Sequence, residues 1–124
     1  MMFGRVNQQR EAVLKLAIIG NRSQKIAVDA VVDTGFNGDL ILPIELVLGL
    51  ELIPQGYQKA TLGDGTISQF RVYAGTVIWD GSRKAVEVNA ATSGVLIGMG
   101  LLDGYKLEVN ATLNGIVTIT NLEL

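Results

Sequence analysis

Among the residues of this 124-residue chain that could do chemistry, one aspartate is set apart by its neighbours. Residues 31–43 read VVDTGFNGDLILP: Asp33 closes a run of branched apolar residues, precedes a Thr-Gly turn and is followed by a second apolar run. A carboxylate is costly to take out of water unless it is paired or hydrogen-bonded. The chain has no cysteine and no histidine. Thiolate nucleophiles, disulfides, thiolate or imidazole metal ligation and a Ser-His-Asp triad are therefore excluded within it. Carboxylates, hydroxyls, amines and backbone amides remain. Taken alone, Asp-Thr-Gly is also good turn chemistry, since aspartate bonds nearby backbone amides and glycine accepts positive φ.

The flanking elements decide where such an acid would stand. If residues 25–33 form a strand, Asp29, Val31 and Asp33 share one face and Val28, Ala30 and Val32 the other. The end of that strand is apolar on both faces, as in a fully buried strand, so Asp33 is expected at the floor of a cleft. Elsewhere β-prone runs alternate with turns: AVLKLAII, KIAVDAVV, ATL, TISQFRVYAGTVIW, AVEVNA, YKLEV and IVTIT, punctuated by glycine-containing segments. Short strands at this spacing argue an all-β sandwich or barrel. PIELVLGL, opened by Pro43, predicts a helix of one or two turns, and MGLLDG at 99–104 a further single turn. With no linker or low-complexity stretch, residues 1–124 read as one domain. Hydrophobic residues make up 48% against 18% charged, which excludes a disordered chain, and a net charge of −2 offers no basic footprint for nucleic acid. Lys15 interrupts the first apolar run, so residues 12–20 read as a strand and not a signal peptide. No stretch approaches the roughly 18 apolar residues of a membrane span. The expectation is a cytoplasmic protein without membrane contact, in which Asn21-Arg-Ser and Asn110-Ala-Thr are chance sequons.

VVDTGFNGDLILP resembles the active-site segment of aspartic proteases: two apolar residues, Asp-Thr-Gly and a return strand. TLGDGTISQFRVYAGTVIWDG resembles the flap hairpin, and VLIGMGLLDGYKLEV the later apolar-apolar-Gly segment that crosses beneath the active-site loop. The likeness, in this order, spans about residues 12–120 and is strongest to the small single-domain, retroviral-type (retropepsin-like) proteases and their bacterial relatives. It implies a closed, mostly antiparallel β-barrel with one or two short helices. It also implies an aspartic endopeptidase needing no metal or cofactor. That mechanism uses two carboxylates, yet the chain has a single Asp-Thr-Gly, so the second must come from a second chain in a symmetric homodimer. By the same resemblance Asp33 is catalytic, Thr34 bonds across the dimer, and Gly35 gives a backbone carbonyl access to a peptide substrate. Phe36 and Asn37 would contact that substrate, as would Leu62, Gly63, Asp64, Gly65 and Thr66 of the flap. Leu96, Ile97 and Gly98 would support the site from below. Tyr73 and Trp79 are read as packing residues.

Three positions depart from the family pattern. Phe36 stands where the family usually has Ala or Ser, so it narrows the cleft or fills a specificity pocket. It offers the carboxylate no hydroxyl donor, so activity is expected to peak nearer neutral than acidic pH. Met99 replaces an arginine that normally pairs with an aspartate, where this chain has Asn37; charge and countercharge are absent together. Leu62 replaces the flap tyrosine of the two-lobed enzymes. With the charge pair at Met99 and Asn37 absent, the dimer is expected to be held by other contacts, terminal strands such as IVTIT among them. Two rival readings keep the fold and drop the chemistry: a dimer that binds extended peptides without cutting them, and a purely structural dimerisation domain.

Overall fold

The structure, a computed structural model, describes residues 1–61, 65 and 67–123. Within them the chain runs β1 (Met2–Val6), β2 (Ala12–Ile19), β3 (Lys25–Val32), β4 (Leu40–Pro43), α1 (Ile44–Gly49), β5 (Ile53–Thr61), β6 (Ile67–Trp79), β7 (Ser82–Ala91), β8 (Leu96–Ile97), α2 (Met99–Leu102), β9 (Tyr105–Val109) and β10 (Ile116–Asn121). The fold is all-β with two short helices, as the turn spacing suggested. Period-two alternation makes the longer strands amphipathic. In β2, Leu14, Leu16 and Ile18 turn inward while Lys15 faces solvent. In β6, Gly75, Val77 and Trp79 are the buried set near its end. Asp80-Gly81 joins β6 to β7 as a two-residue loop, with Trp79 opposite Ser82 and φ of 51° and 84° at the two turn residues. Positive φ at both positions matches the twist of the flanking strands, and glycine adopts it without steric cost.

The strands form one sheet in the order β5-β6-β7-β4-β8-β3-β2-β1-β10-β9, and β2 pairs β6 as well, so the sheet returns on itself. Of the expected closed, mostly antiparallel barrel, the predominance of antiparallel pairing is found among the described residues, but the ladders support a ring-like mixed sheet and not a closed barrel. β3 runs parallel to β8, and β4 parallel to β7. Tight hairpins force antiparallel neighbours, whereas parallel ones need a long return path. The excursion through α1, β5 and β6 supplies that path between β4 and β7.

The core fills the ring with Leu16, Ile18, Leu40, Leu42, Val77 and Ile97, all essentially inaccessible to solvent. α1 contributes Val47, and α2 contributes Leu101 and Leu102. Tyr73 and Trp79 belong to this cluster, as packing residues should. β3 is one-sided and not fully buried. Ala30 is buried and Ile26, Val28 and Val32 pack on the core, but Asp29 stands in solvent, paired with Lys15 of β2 at 2.7 Å. On this outer face, shared with β2, the Lys15–Asp29 pair stands in solvent between Val13–Val31 and Ala17–Ala27. Among the described residues no helix is long and apolar enough to cross a membrane.

Candidate active site

Asp33 is delivered by β3 and held by β8. Val31 lies opposite Leu96 and Val32 opposite Ile97, and the next amide, that of Asp33, donates to the Ile97 carbonyl at 2.8 Å. The other edge of β8 pairs antiparallel with β4, Leu40 facing Ile97. Leu96 and Ile97 thus lie between the strand that brings the acid in and the strand that leads the chain away. The Asp33 side chain is half-buried. Its Oδ1 accepts the Gly35 N–H at 2.9 Å, and its carbonyl accepts the Phe36 N–H at 3.2 Å. An Asx turn inside a backbone turn fixes the carboxylate at the loop's base. Thr34 and Gly35, next along, are exposed.

Beneath this loop, the start of α2 is pressed against it. The N–H groups of Gly98, Met99 and Gly100 donate to the carbonyls of Asp39 (3.0 Å), Phe36 (2.8 Å) and Gly38 (3.0 Å) in turn. A Cβ on Gly98 would stand 2.2 Å from the Gly38 carbonyl oxygen and 2.4 Å from Cδ2 of Phe36. Only glycine permits that approach. The Phe36 ring therefore lies on Gly98 and on Gly38 of its own loop. It forms part of a cleft wall and is propped by two residues that lack side chains. Asp39, unremarked in the sequence, ties the far side of the loop: its Oδ2 accepts the Glu87 N–H of β7 at 2.9 Å. Two acids in one loop thus have different surroundings. Asp39 is bonded into the scaffold, and Asp33 sits beside an opening.

The loop divides two cavities. One of about 470 Å³ is lined by Gly35, Phe36 and Asn37 on the loop side, and by Gln58, Lys59 and Phe70 opposite. Ile41 and Asn89 also line it, Asn89 being buried with its amide 3.4 Å from Oε1 of Gln58. The roof is the β5–β6 ribbon, whose paired register runs out to Thr61 and Ile67, while β7 pairs β6 only from Val72 onward. Arg71, on that ribbon, lies 5.6 Å from the centre of the Tyr57 ring. Hydrogen bonding to Tyr73, then to Tyr57, raises its pKa further above the neutral range. Of the expected flap residues, Gly65 is exposed with φ of 86°. Leu62, Gly63, Asp64 and Thr66 lie outside the described residues. On the other side of the loop, Thr34 and the half-exposed Met99 border a cavity of about 370 Å³ that reaches Tyr105 and Leu107 of β9. A larger cavity, about 610 Å³, lies between the β1–β2 turn and the β9–β10 loop. Among the described residues lining it, Arg10 is the one charged group and Thr112 the one hydroxyl, and there is no carboxylate.

The expectation that IVTIT supplies an intersubunit strand also changes. It forms β10, which β1 pairs on one side and β9 on the other. Within the described chain both its edges are occupied, and the outermost strand at this end of the sheet is β9.

No protein-family model matches the sequence, and no curated protein matches it either. The fold is similar to the crystal structure of a retropepsin-like aspartic protease from Rickettsia conorii, with a TM-score of 0.59 and 16% identity. The likeness covers 96% of this chain and 90% of that one. At that identity it is a likeness of fold.

Proposed function

We propose that this protein is an aspartic peptidase that works as a homodimer, each copy supplying one Asp33 to a shared site. The observation that carries the reading is the setting of Asp33. It is a half-buried acid fixed where β3 meets β8, at the base of a loop whose next residues line a cavity of about 470 Å³, in a fold similar to a retropepsin-like protease. One chain offers one such carboxylate, and the mechanism needs two. Two carboxylates brought within about 3 Å cannot both ionise, so they hold one proton between them. The ionised member takes a proton from water, and the resulting hydroxide attacks the peptide carbonyl. The protonated member polarises that carbonyl oxygen, and a proton passes to the leaving amine as the C–N bond breaks. The ribbon of β5 and β6 would cover the bound peptide and exclude bulk water.

The test compares wild type with Asp33→Asn on a mixed peptide library. Wild type is expected to cleave, and the variant to lose roughly 10³-fold or more of the rate, as removal of a general acid–base pair implies. Equal cleavage by both would sink the assignment. Retention of peptides by both without cleavage would replace the enzyme with a peptide-binding module.

A further inference from the structure

We propose that the outer edge of β9 is the seam between two copies of this chain, joined antiparallel with Leu107 of each beside the two-fold axis. The second copy as occupant rests on the homodimer of the preceding reading; the register follows from β9 itself. Among the described residues β9 is the last strand of the sheet, paired by β10 on one side. The β9–β10 ladder sets Val109 opposite Val117 and Tyr105 opposite Asn121, and its flanking bonds are Asn110 N–H to the Ile116 carbonyl and Leu122 N–H to the Gly104 carbonyl, each 3.0 Å. Facing residues of an antiparallel ladder alternate between bonded and non-bonded pairs. Lys106 and Glu108 therefore turn their backbone groups toward β10, and Tyr105, Leu107 and Val109 turn theirs outward. Among the described residues no strand meets these outward groups, and such an edge is a template for another chain.

The sequence of the strand is complementary to itself. Read antiparallel about Leu107, YKLEV places Tyr105 against the partner's Val109 and Leu107 against the partner's Leu107, all with outward amides, so every hydrogen bond of the seam can form. Lys106 then falls against the partner's Glu108, and Glu108 against the partner's Lys106, in the closer non-bonded positions where side chains meet. Both side chains are well exposed, and in one chain they already lie 3.0 Å apart. A slip of two residues in either direction sets lysine against lysine or glutamate against glutamate and shortens the ladder. The inner face agrees: Tyr105 and Leu107 pack on the core and also border the cavity that runs to Thr34 and Met99. A copy paired on β9 would come against the Thr34 flank of the Asp33 loop and cover Met99, which is 46% exposed.

The experiment is sedimentation of wild type, Lys106→Glu, Glu108→Lys, their 1:1 mixture and the K106E/E108K double variant, with circular dichroism to verify folding. Each single variant sets like charges against each other at both positions and is expected to weaken the dimer about tenfold or more at low salt. The mixture and the double variant restore opposite charges and are expected to recover wild-type association. A wild-type dimer untouched by either single variant overturns the seam, with Lys106 and Glu108 merely shielding the edge, and leaves the homodimer standing. Weakening that neither the mixture nor the double variant repairs overturns the register. A wild type monomeric at every concentration overturns the seam and the composite site together. A dimer that obeys the charge pattern yet cuts no peptide preserves the seam and removes the peptidase.

Discussion

Gly98 shows how a residue without a side chain can shape a site. Its Cα lies so close to the Asp33 loop that a methyl group would run into the Gly38 carbonyl and the Phe36 ring at once. Backbone cannot yield as a flexible side-chain tip can. Gly98→Ala is therefore expected to destabilise the fold by about 1–3 kcal/mol, the range for forced overpacking, and to displace Phe36. Gly94→Ala is its control, because a Cβ there meets nothing within 4 Å. Thermal unfolding of the pair checks this; equal midpoints would mean that the loop gives way freely. The same contacts mark the limit of what residue types reveal. Asp33 was legible because Thr-Gly follows it and apolar runs enclose it. Asp39 lies in the same thirteen residues, but no neighbouring residue type marks it, since its role depends on the Glu87 amide of a distant strand. Residue type alone shows Phe36 as bulk in the cleft; that two glycines receive its ring is a matter of tertiary contact.

At the scale of elements, Trp79 links strands that share no ladder. It ends β6, is almost wholly buried, and meets Tyr105 of β9 edge to face, with ring centres 5.7 Å apart at 76°. Among the described residues its buried indole N–H meets no hydrogen-bond acceptor. A buried donor left unbonded costs stability, so part of what the large ring contributes is offset. Trp79→Phe removes that donor and keeps most of the apolar contact, whereas Trp79→Ala opens a cavity and is expected to cost about 3–5 kcal/mol. Denaturant unfolding should place the phenylalanine variant much nearer wild type than the alanine one. An equal loss for both would show that the indole's shape, not its apolar area, holds β6 to β9. The strands that sequence alternation revealed are those with one buried face, such as β2, the inner half of β6, and β10. β1 was missed because MFGRV exposes Phe3 and buries little beyond Val6. Most of β5 was missed for a related reason. IPQGYQKAT carries a register shift between Pro54 and Gly56 and is held by its ladder to β6 more than by burial, so its residues show no apolar rhythm. Parallel pairing of β3 with β8 and β4 with β7 was equally hidden, because alternation gives the face of a strand and not its neighbour.

At the scale of the whole molecule, the sequence carried one decisive count: a single Asp-Thr-Gly in a chain whose chemistry, if it cuts peptides, needs two. The structure leaves that count unchanged, since Asp39, the other acid of the loop, is bonded to β7. A site divided between identical chains has a consequence that a self-contained site lacks. In the proposed homodimer every productive pair would have to draw an intact Asp33 from both members. When wild type is mixed with an equal amount of Asp33→Asn above the dimer's dissociation constant and allowed to exchange, random pairing leaves about a quarter of the dimers with both acids. Activity per total chain should then fall to about a quarter of the wild-type value, against about half if each chain cut independently. Peptide cleavage measured after re-equilibration distinguishes the two. A value near half would assign the whole reaction to one chain and remove the need for a partner at Asp33, whatever holds the copies together.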